Sequence, residues 1–289
     1  DSEIIGNINS IDIYRNNKYQ AIFNTNQQLH IIDRNGNYVD NFPKTLDSKT
    51  KIGHSIFDYN KEKKYRIMIV GEDNLVYNYD RKGKKVYGWK YKKKNKITNK
   101  LRHFQINGKD FILEEDRTSK SRLLARNGSE RVTFKDTTKF ISSRIEIDKL
   151  GTLYAITNKN KLWRGNINGI STTTSITNMQ SNSLITINQK DTSQNITFSQ
   201  SNNIFILDKE LNQINKISLD EEITSMNYIE NLLVIKTNNK IYLFMEENLL
   251  PGFPIKTDGL INISDIDNNG KLNIINSKDG ALYNYELIN

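Results

Sequence analysis

Apolar and polar residues alternate along most of the chain in short segments, a pattern that indicates strands with one buried face. Seven apolar runs that each lead into a turn recur about every 42 residues. These runs begin at Leu29, Leu75, Leu123, Leu162, Ile204, Ile241 and Leu282. A second strand precedes each run, beginning at Tyr19, Tyr65, Phe111, Leu153, Ile196, Leu233 and Leu272. A third, shorter strand comes before that one, beginning at Ser10, Ser55, Arg102, Ser143, Ser183, Ser225 and Ile263.

Turn-forming residues mark the same repeat. A tight hairpin needs residues that accept positive φ, and such pairs follow the apolar run, which is the third strand of each repeat in chain order, at Asn35-Gly36, Lys82-Gly83, Asn127-Gly128 and Asn168-Gly169. We expect a weaker outer strand after each turn, with prolines at its exit in the segments Asn41-Phe-Pro-Lys-Thr and Gly252-Phe-Pro-Ile-Lys-Thr. The last repeat has no room for this strand, so we expect the segment Glu3-Ile-Ile, or residues upstream of it, to complete that repeat.

A strand unit that recurs about seven times predicts an all-β fold, the seven-bladed β-propeller, with six or eight blades as alternatives. A helical solenoid would require helical periodicity, and a sandwich would not repeat one unit seven times. We expect residues 1–289 to form a single propeller domain. Because the first residue is Asp and not Met, we expect this domain to be part of a longer precursor.

Three repeats share a loop between their first and second strands. It begins at Asp12, Asp58 and Asp265, and the equivalent lysines near its end are Lys18, Lys64 and Lys271. In the last repeat, oxygen-bearing side chains at alternate positions could converge on a hard cation such as Ca²⁺. The candidate calcium ligands are Asp265, Asp267, Asn269 and Asn273. The alternative is a turn in which these side chains accept hydrogen bonds from backbone amides.

This loop resembles the DxDxDG loops of FG-GAP-type, integrin-α-like propeller repeats, and the segment Gly252-Phe-Pro-Ile-Lys-Thr before it strengthens the resemblance. The resemblance implies that Asp265, Asp267 and Asn269 fall on ligand positions, whereas Asn273 stands where the family usually has an acidic residue. The repeat period matches throughout, but the motif detail is confined to repeats one, two and seven. The chain is also similar to propeller regions of uncharacterised Bacteroidetes envelope proteins around Tyr77–Lys94 and Gly252–Ile275, which implies an extracytoplasmic bacterial protein.

The net charge of +9 is concentrated in one segment, because residues 81–102 contain eleven Lys or Arg and no Asp or Glu. Aromatic rings alternate with these lysines. Such a mixture can contact an acidic protein, anionic lipid or nucleic acid, or it can be a solvated edge strand whose lysines oppose aggregation. The candidate partner-binding residues are Lys84, Lys85, Tyr87, Trp89, Lys90, Tyr91, Lys92, Lys93 and Lys94.

Catalytic chemistry has little support in the sequence. The chain has no cysteine and three histidines, which excludes disulfides, thiol nucleophiles and cysteine-ligated metals. We interpret His30 as a packed or exposed strand residue, whereas His54 and His103 adjoin first strands and are candidates to face the channel. No hydrolase, nucleotide-binding or zinc-protease motif occurs. The carboxylates that a carbohydrate-active propeller could direct into its channel are Asp58, Glu115, Glu146 and Asp148.

These observations predict a non-catalytic propeller that serves as a protein-interaction or scaffold module in the bacterial cell envelope. The alternatives are a carbohydrate-active enzyme, or a binder of an anionic surface or nucleic acid through residues 81–102. We expect a protein partner and no cofactor apart from the candidate structural calcium ion. We also expect no transmembrane segment in this chain, because no stretch approaches the ~20 apolar residues that a spanning helix needs.

Overall fold

A computed structural model of the protein describes residues 2–93, 96–115, 121–134, 140, 145–188, 195–259, 261–265 and 269–287. These residues form 27 β-strands in seven antiparallel sheets. They include no helix, and therefore none with the length and apolarity to cross a membrane. The chain divides into two compact units, Asp1–Lys139 with Asn166–Ser171, and Phe140–Gly165 with Thr172–Asn289.

The first unit contains three sheets, which we name blades one to three. Blade one contains β1 (Ile5–Ile11), β2 (Gln20–Asn24), β3 (Gln28–Ile32) and β4 (Lys44–Thr45). Blade two contains β5 (Ser55–Phe57), β6 (Arg66–Val70) and β7 (Val76–Asp80). Blade three contains β8 (Arg102–Ile106), β9 (Lys109–Glu114), β10 (Arg122–Leu124) and β11 (Glu130–Thr133).

The second unit contains blades four to seven. Blade four contains β12 (Glu146–Ile147), β13 (Leu153–Ile156), β14 (Lys161–Gly165) and β15 (Ser171–Ser175). Blade five contains β16 (Ile185–Ile187), β17 (Ile196–Gln200), β18 (Asn203–Leu207) and β19 (Gln213–Ser218). Blade six contains β20 (Ile223–Ile229), β21 (Leu232–Thr237), β22 (Lys240–Met245), β23 (Asn248–Leu249) and β24 (Ile255–Lys256). Blade seven contains β25 (Ile261–Ser264), β26 (Asn273–Lys278) and β27 (Ala281–Glu286).

The three predicted strands occur in every one of the seven repeats, and each pairs with its neighbour in the chain. Alternating apolar residues produce this meander because each sheet must bury its faces against the sheets beside it. In unit one, for example, Leu29 and Ile31 of β3 lie in one buried cluster with Ile67 and Ile69 of β6. In unit two, Ile204 of β18 lies in a cluster with residues of blade six. Within each unit, the core therefore lies between successive blades.

The predicted hairpin turns are also confirmed. Gly36, Gly83, Gly128 and Gly169 all adopt positive φ, between 73° and 82°. The carboxylate at the start of a turn often caps it: Oδ1 of Asp80 accepts hydrogen bonds from the backbone N–H groups of Lys82 at 2.8 Å and Lys84 at 3.0 Å. In blades one, two and four, an Asp or Asn at the start of the turn and a glycine three residues later specify the turn after the third strand in chain order.

The fourth strand is less regular than we expected. Within the described residues, blade two has only an isolated bridge between Tyr79 and Lys85 in its place, and β27 of blade seven pairs with β26 alone. The prediction that Glu3-Ile-Ile completes the last repeat is wrong. Ile5 begins β1 opposite Asn24 and therefore pairs within its own blade, while completion of the last repeat by residues upstream stays a prediction.

Candidate interaction surface

The basic segment leaves β7 and crosses the outer side of blade two towards β8. Its first part is held against blade one by Lys85, whose Nζ lies 2.6 Å from Oδ1 of Asp47. The Lys85 side chain is 64% exposed, so this ion pair contributes little to stability. Lys85 already has an acidic neighbour within the protein.

Trp89 and Tyr91 are anchored in the core between blades two and three. The indole Nε1 of Trp89 donates a hydrogen bond to the carbonyl oxygen of Val76 at 2.7 Å, and the two rings stack with centroids 6.4 Å apart. Both rings pack against the cluster that contains Ile112 and Leu124. The structure therefore gives these two aromatic residues packing contacts, and their partner-binding role stays a prediction.

The remaining candidates form an exposed patch. Tyr87 has 103% relative exposure, so its ring projects fully into solvent. The lysines around it are exposed as well, and we call the set of Lys84, Tyr87, Lys90, Lys92 and Lys93 the basic surface. Lys94, which we also predicted to bind a partner, lies outside the described residues.

Two backbone contacts fix the basic surface to blade three. The N–H of Lys90 donates to the carbonyl oxygen of Asn127 at 2.6 Å, and Nη2 of Arg122 donates to the carbonyl oxygen of Lys92 at 2.8 Å. Arg122 is buried and forms a bidentate pair with Glu114, with both N–O distances at 2.9 Å. Burial lowers the pKa of Arg122, but the hydrogen bonds and charge of Glu114 raise it above its ordinary value. Arg122 therefore stays charged beneath the basic surface.

The candidate calcium loop is closed by backbone hydrogen bonds. Oδ1 of Asp265 accepts from the N–H of Asn269 at 3.1 Å, and Oδ2 accepts from the N–H of Gly270 at 2.9 Å. The amide Nδ2 of Asn269 donates to Glu286 at 2.8 Å, and Asn273 is buried in β26. Asp267 lies outside the described residues. This arrangement is an Asx-stabilised turn, and calcium binding stays a prediction.

The equivalent loops of blades one and two have the same geometry. Asp12 accepts the N–H groups of Asn16 and Asn17 at 3.1 and 2.9 Å. Asp58 accepts those of Glu62 and Lys63 at 3.1 and 2.8 Å. An aspartate at this position therefore stabilises a turn even where the loop lacks further oxygen ligands.

All three histidines have structural contacts, and Nε2 of His103 lies 2.8 Å from Oδ1 of Asp110. His30 is buried, stacks on Phe23 at 4.8 Å, and lies 3.1 Å from the Tyr38 hydroxyl, which confirms it as a packed strand residue. His54 is also buried, with Nδ1 3.0 Å from Oδ1 of Asn24. Burial, assisted by the charge of Lys100, lowers the pKa of His54 to about 4, so the ring is neutral. Among the described residues, no three His, Asp or Glu side chains group to hold a metal ion.

The carboxylates considered for catalysis have local partners. Asp58 caps its loop, and Oε1 of Glu115 lies 2.9 Å from Nη2 of Arg102. Oδ1 of Asp148 accepts the N–H groups of Leu150 and Thr152 at 2.9 and 2.8 Å. Glu146 lies in β12. These contacts give Asp58, Glu115 and Asp148 structural roles, and the absence of enzymatic activity remains a prediction.

Sequence reasoning identified Arg81 and Lys82 as part of the basic segment 81–102, but it missed the cluster of positive charge that they form with residues of other segments. Arg15, Lys64 and Arg66 lie beside Arg81 and Lys82 around one cavity in unit one. The only signal in the sequence was the alignment of the loops that begin at Asp12 and Asp58, which places basic residues in both.

Comparison with known proteins identifies the fold. No protein-family model matches the chain, and no curated protein sequence matches it. Among solved structures, BamB from Moraxella catarrhalis is 13% identical with a TM-score of 0.65, and the match covers 99% of this chain and 86% of that one. BBS1N in complex with ARL6DN is 10% identical with a TM-score of 0.64, over 98% of this chain and 92% of that one. The AfRom2 CNH domain is 11% identical with a TM-score of 0.59, over 100% and 97% of the two chains.

These matches and the seven meander sheets define the class of protein, a seven-bladed β-propeller, and confirm the predicted fold class. At such low identity the similarity establishes the fold alone. Membership of the FG-GAP-type family stays a prediction, since no family model matches.

Proposed function

We propose that the protein is a non-catalytic propeller that binds an acidic protein partner through the basic surface. The observation that carries this proposal is the exposure of Tyr87, whose ring lies in solvent between exposed lysines. An exposed tyrosine supplies contact area at low entropic cost, and surrounding lysines steer an acidic partner towards it. Trp89 and Tyr91 pack against the buried cluster of blades two and three and hold this segment in place. This packing limits the conformational entropy that the segment loses on binding.

One neighbour provides a parallel for this role. BBS1N is a propeller whose structure was solved in complex with ARL6DN, so the fold can present a protein-binding surface. The alternative of a carbohydrate-active enzyme is favoured by no observation in the described part of the chain. Binding of nucleic acid or an anionic lipid surface is a competing outcome that the experiment separates.

The experiment is site-specific photocrosslinking in the native host. A photoreactive phenylalanine analogue replaces Tyr87 in the full chain, and the matched control carries it at Tyr38, which is also exposed. We expect one discrete protein adduct at position 87, absent from the control and lost when Lys84, Lys90 and Lys93 are changed to Gln. Crosslinks to nucleic acid or lipid alone, or the same adducts at both positions, would refute the proposal.

For location, we propose an extracytoplasmic protein of a bacterial envelope. The support is the resemblance of the segments Tyr77–Lys94 and Gly252–Ile275 to propeller regions of Bacteroidetes envelope proteins. Cell fractionation of the native host tests this proposal, and recovery of the protein only with cytoplasmic markers would contradict it.

For the blade-seven loop, we propose that Asp265 and Asn269 act as turn-forming residues. Their support is the shared hydrogen-bond geometry of the three Asp-to-Lys loops. Calcium coordination by Asp265, Asp267, Asn269 and Asn273 is the alternative.

A further inference from the structure

A cavity of about 150 Å³ lies where blade one meets blade two, and its walls are almost entirely cationic. The lining residues are Arg15, Lys64, Arg66, Asp80, Arg81 and Lys82. Arg15 belongs to the blade-one loop after Asp12, whereas Lys64 and Arg66 flank the start of β6. Arg81 and Lys82 belong to the turn after β7. The fold thus brings three separate segments to one point.

The positive charge of this pocket is poorly compensated. Its one acidic lining residue, Asp80, uses Oδ1 to cap its own turn. Lys64 pairs with Glu62 at 2.5 Å. In the part of the chain that the structure describes, no carboxylate lies within ion-pair distance of Arg15, Arg66, Arg81 or Lys82, although the charge of Arg15 acts on Glu62 from farther away. Converging cations repel one another, and an anion in the pocket would relieve this repulsion.

Two of the guanidinium groups are positioned by backbone carbonyls. Nη1 of Arg81 donates to the carbonyl oxygen of Ile13, and Nη1 of Arg66 donates to those of Lys64 and Tyr65 at 3.3 and 3.2 Å. Each guanidinium carries five N–H donors. These contacts fix the arginine heads while other donors remain for a ligand.

The junction of blades two and three provides an internal comparison. Arg126 occupies the same turn position as Arg81, because Gly128 and Gly83 close equivalent turns with N–H bonds to Ala125 and Asp80. Both arginines reach back to the preceding blade's loop. Arg81 contacts Ile13, and Arg126 lies over the ring of Tyr59, which follows Asp58 as Ile13 follows Asp12.

The two junctions differ in their counter-charge. Nε of Arg126 forms an ion pair with Oδ2 of Asp110. Tyr79 and Leu124 are the residues just before the two equivalent turns, and they lie opposite Ile67 and Ile112. Ile67 therefore corresponds to Ile112, and two residues earlier Tyr65 corresponds to Asp110. At the junction of blades two and three, the counter-charge of the turn arginine comes from the strand residue Asp110, whereas the turn itself has Ala125 where blade two has Asp80. At the pocket, Tyr65 replaces that strand carboxylate and Arg66 stands where blade three has Phe111, so the strand adds positive charge and no negative charge.

We propose that this pocket binds an oxyanion of the phosphate or sulfate class. Guanidinium forks match the geometry of such oxygens and bind them with paired, charge-assisted hydrogen bonds. The cavity has room for about five water volumes, which is sufficient for one tetrahedral ion and its bound water. The ion can be free, or it can be a group carried by a larger molecule. The proposal does not depend on a protein partner at the basic surface.

The test is isothermal titration of the full chain with inorganic phosphate and with sulfate at low ionic strength. We expect saturable one-to-one binding that Lys82→Gln and Arg66→Gln each weaken about tenfold or more. Lys82 is exposed, so its variant keeps the fold. Arg34→Gln changes the equivalent turn of blade one, outside the pocket, and Lys93→Gln changes the basic surface; we expect neither to alter the affinity.

Two results would overturn the proposal. One is the lack of saturable binding of either ion. The other is a loss of affinity in Arg34→Gln or Lys93→Gln equal to that in the pocket variants, which would show that the ion is attracted by the overall positive charge and not by a defined pocket. Titration with phosphoserine then identifies the source. Tighter binding than phosphate points to a group on a larger molecule, and equal or weaker binding points to the free ion.

Discussion

Nζ of Lys63 lies 2.6 Å from Oδ2 of Asp12, so the loop of blade two supplies the counter-ion for the loop of blade one. The Asp12 side chain is fully buried, whereas that of Lys63 is 30% exposed. Burial raises the pKa of Asp12, but the hydrogen bond from Lys63 and the backbone amides of Asn17 and Asn16 lower it to about 2. One ion pair thus joins two successive blades at their shared loop position.

The pH dependence of this pair follows from the sign of the shift. A carboxylate with a depressed pKa stabilises the folded state above its unfolded value of 3.8, and this contribution is lost as the pH falls through about 2. In Lys63→Met we expect the pKa of Asp12 to rise, because the hydrogen bond and charge of Lys63 that lower it are lost while burial still raises it. The acid-unfolding midpoint should move to higher pH, as followed by circular dichroism.

The control for this experiment is Lys18→Met, which removes an exposed lysine of the blade-one loop. If both variants showed the same acid midpoint as the wild type, the ion pair would have no role in acid stability. Carboxyl NMR shifts of Asp12 provide the direct measurement of its pKa.

The buried pair between Arg122 and Glu114 should be costly to break. Removal of one partner leaves an uncompensated buried charge, which typically costs about 3–5 kcal/mol. We expect this loss in the free energy of unfolding of Arg122→Met, measured in urea. The double variant with Glu114→Leu should be more stable than Arg122→Met alone. Arg131→Met, at an exposed position of β11, is the control, and a loss there equal to that of Arg122→Met would contradict this account.

The Gly128 turn depends on the Trp89 ring. A Cβ at Gly128, whose φ is +80°, would meet the indole at 2.9 Å, whereas a Cβ at Gly36, with φ +82°, would meet nothing within 4 Å. We expect Gly36→Ala to cost about 1–2 kcal/mol from backbone strain alone. Gly128→Ala should cost about 1–3 kcal/mol more because of overpacking. Equal losses, measured by urea unfolding, would show that Trp89 moves away freely.

Much of the fold could be predicted because its signals are local. The period-two alternation identified the strands that begin near Tyr19 and Leu29, and the Asn-Gly pair at Asn35-Gly36 identified the turn that follows. The common aspartate of the three loops was also visible, and its backbone contacts match the predicted turn. Each of these features depends on residues within a few positions of one another.

The candidate site was harder to predict because its contacts are distant in sequence. In the sequence, Trp89 and Tyr87 look alike as aromatic residues among lysines, yet one is anchored by the carbonyl of Val76 and the other is fully exposed. In the sequence, Arg122 looks like a surface charge, but the strand pairing places Glu114 opposite it in the preceding strand, β9. Likewise, the pocket that joins Arg15 to Arg66 exists only once two blades pack together.

The loop at Asp265 allows a test between the two interpretations of the aspartate motif, a turn capped by the carboxylate and a calcium site. Both carboxylate oxygens of Asp265 accept backbone amides, so we expect about 1 mM CaCl₂ to leave the thermal midpoint of the wild type unchanged. The test is sensitive, because calcium at 100 times the Kd of a site would raise the free energy of unfolding by about 2.7 kcal/mol. Asp265→Asn and the matched control Asp58→Asn should each lower the midpoint by a similar amount, with or without calcium. A calcium-dependent rise in the wild type and in Asp58→Asn, lost in Asp265→Asn, would instead establish the blade-seven loop as a calcium site.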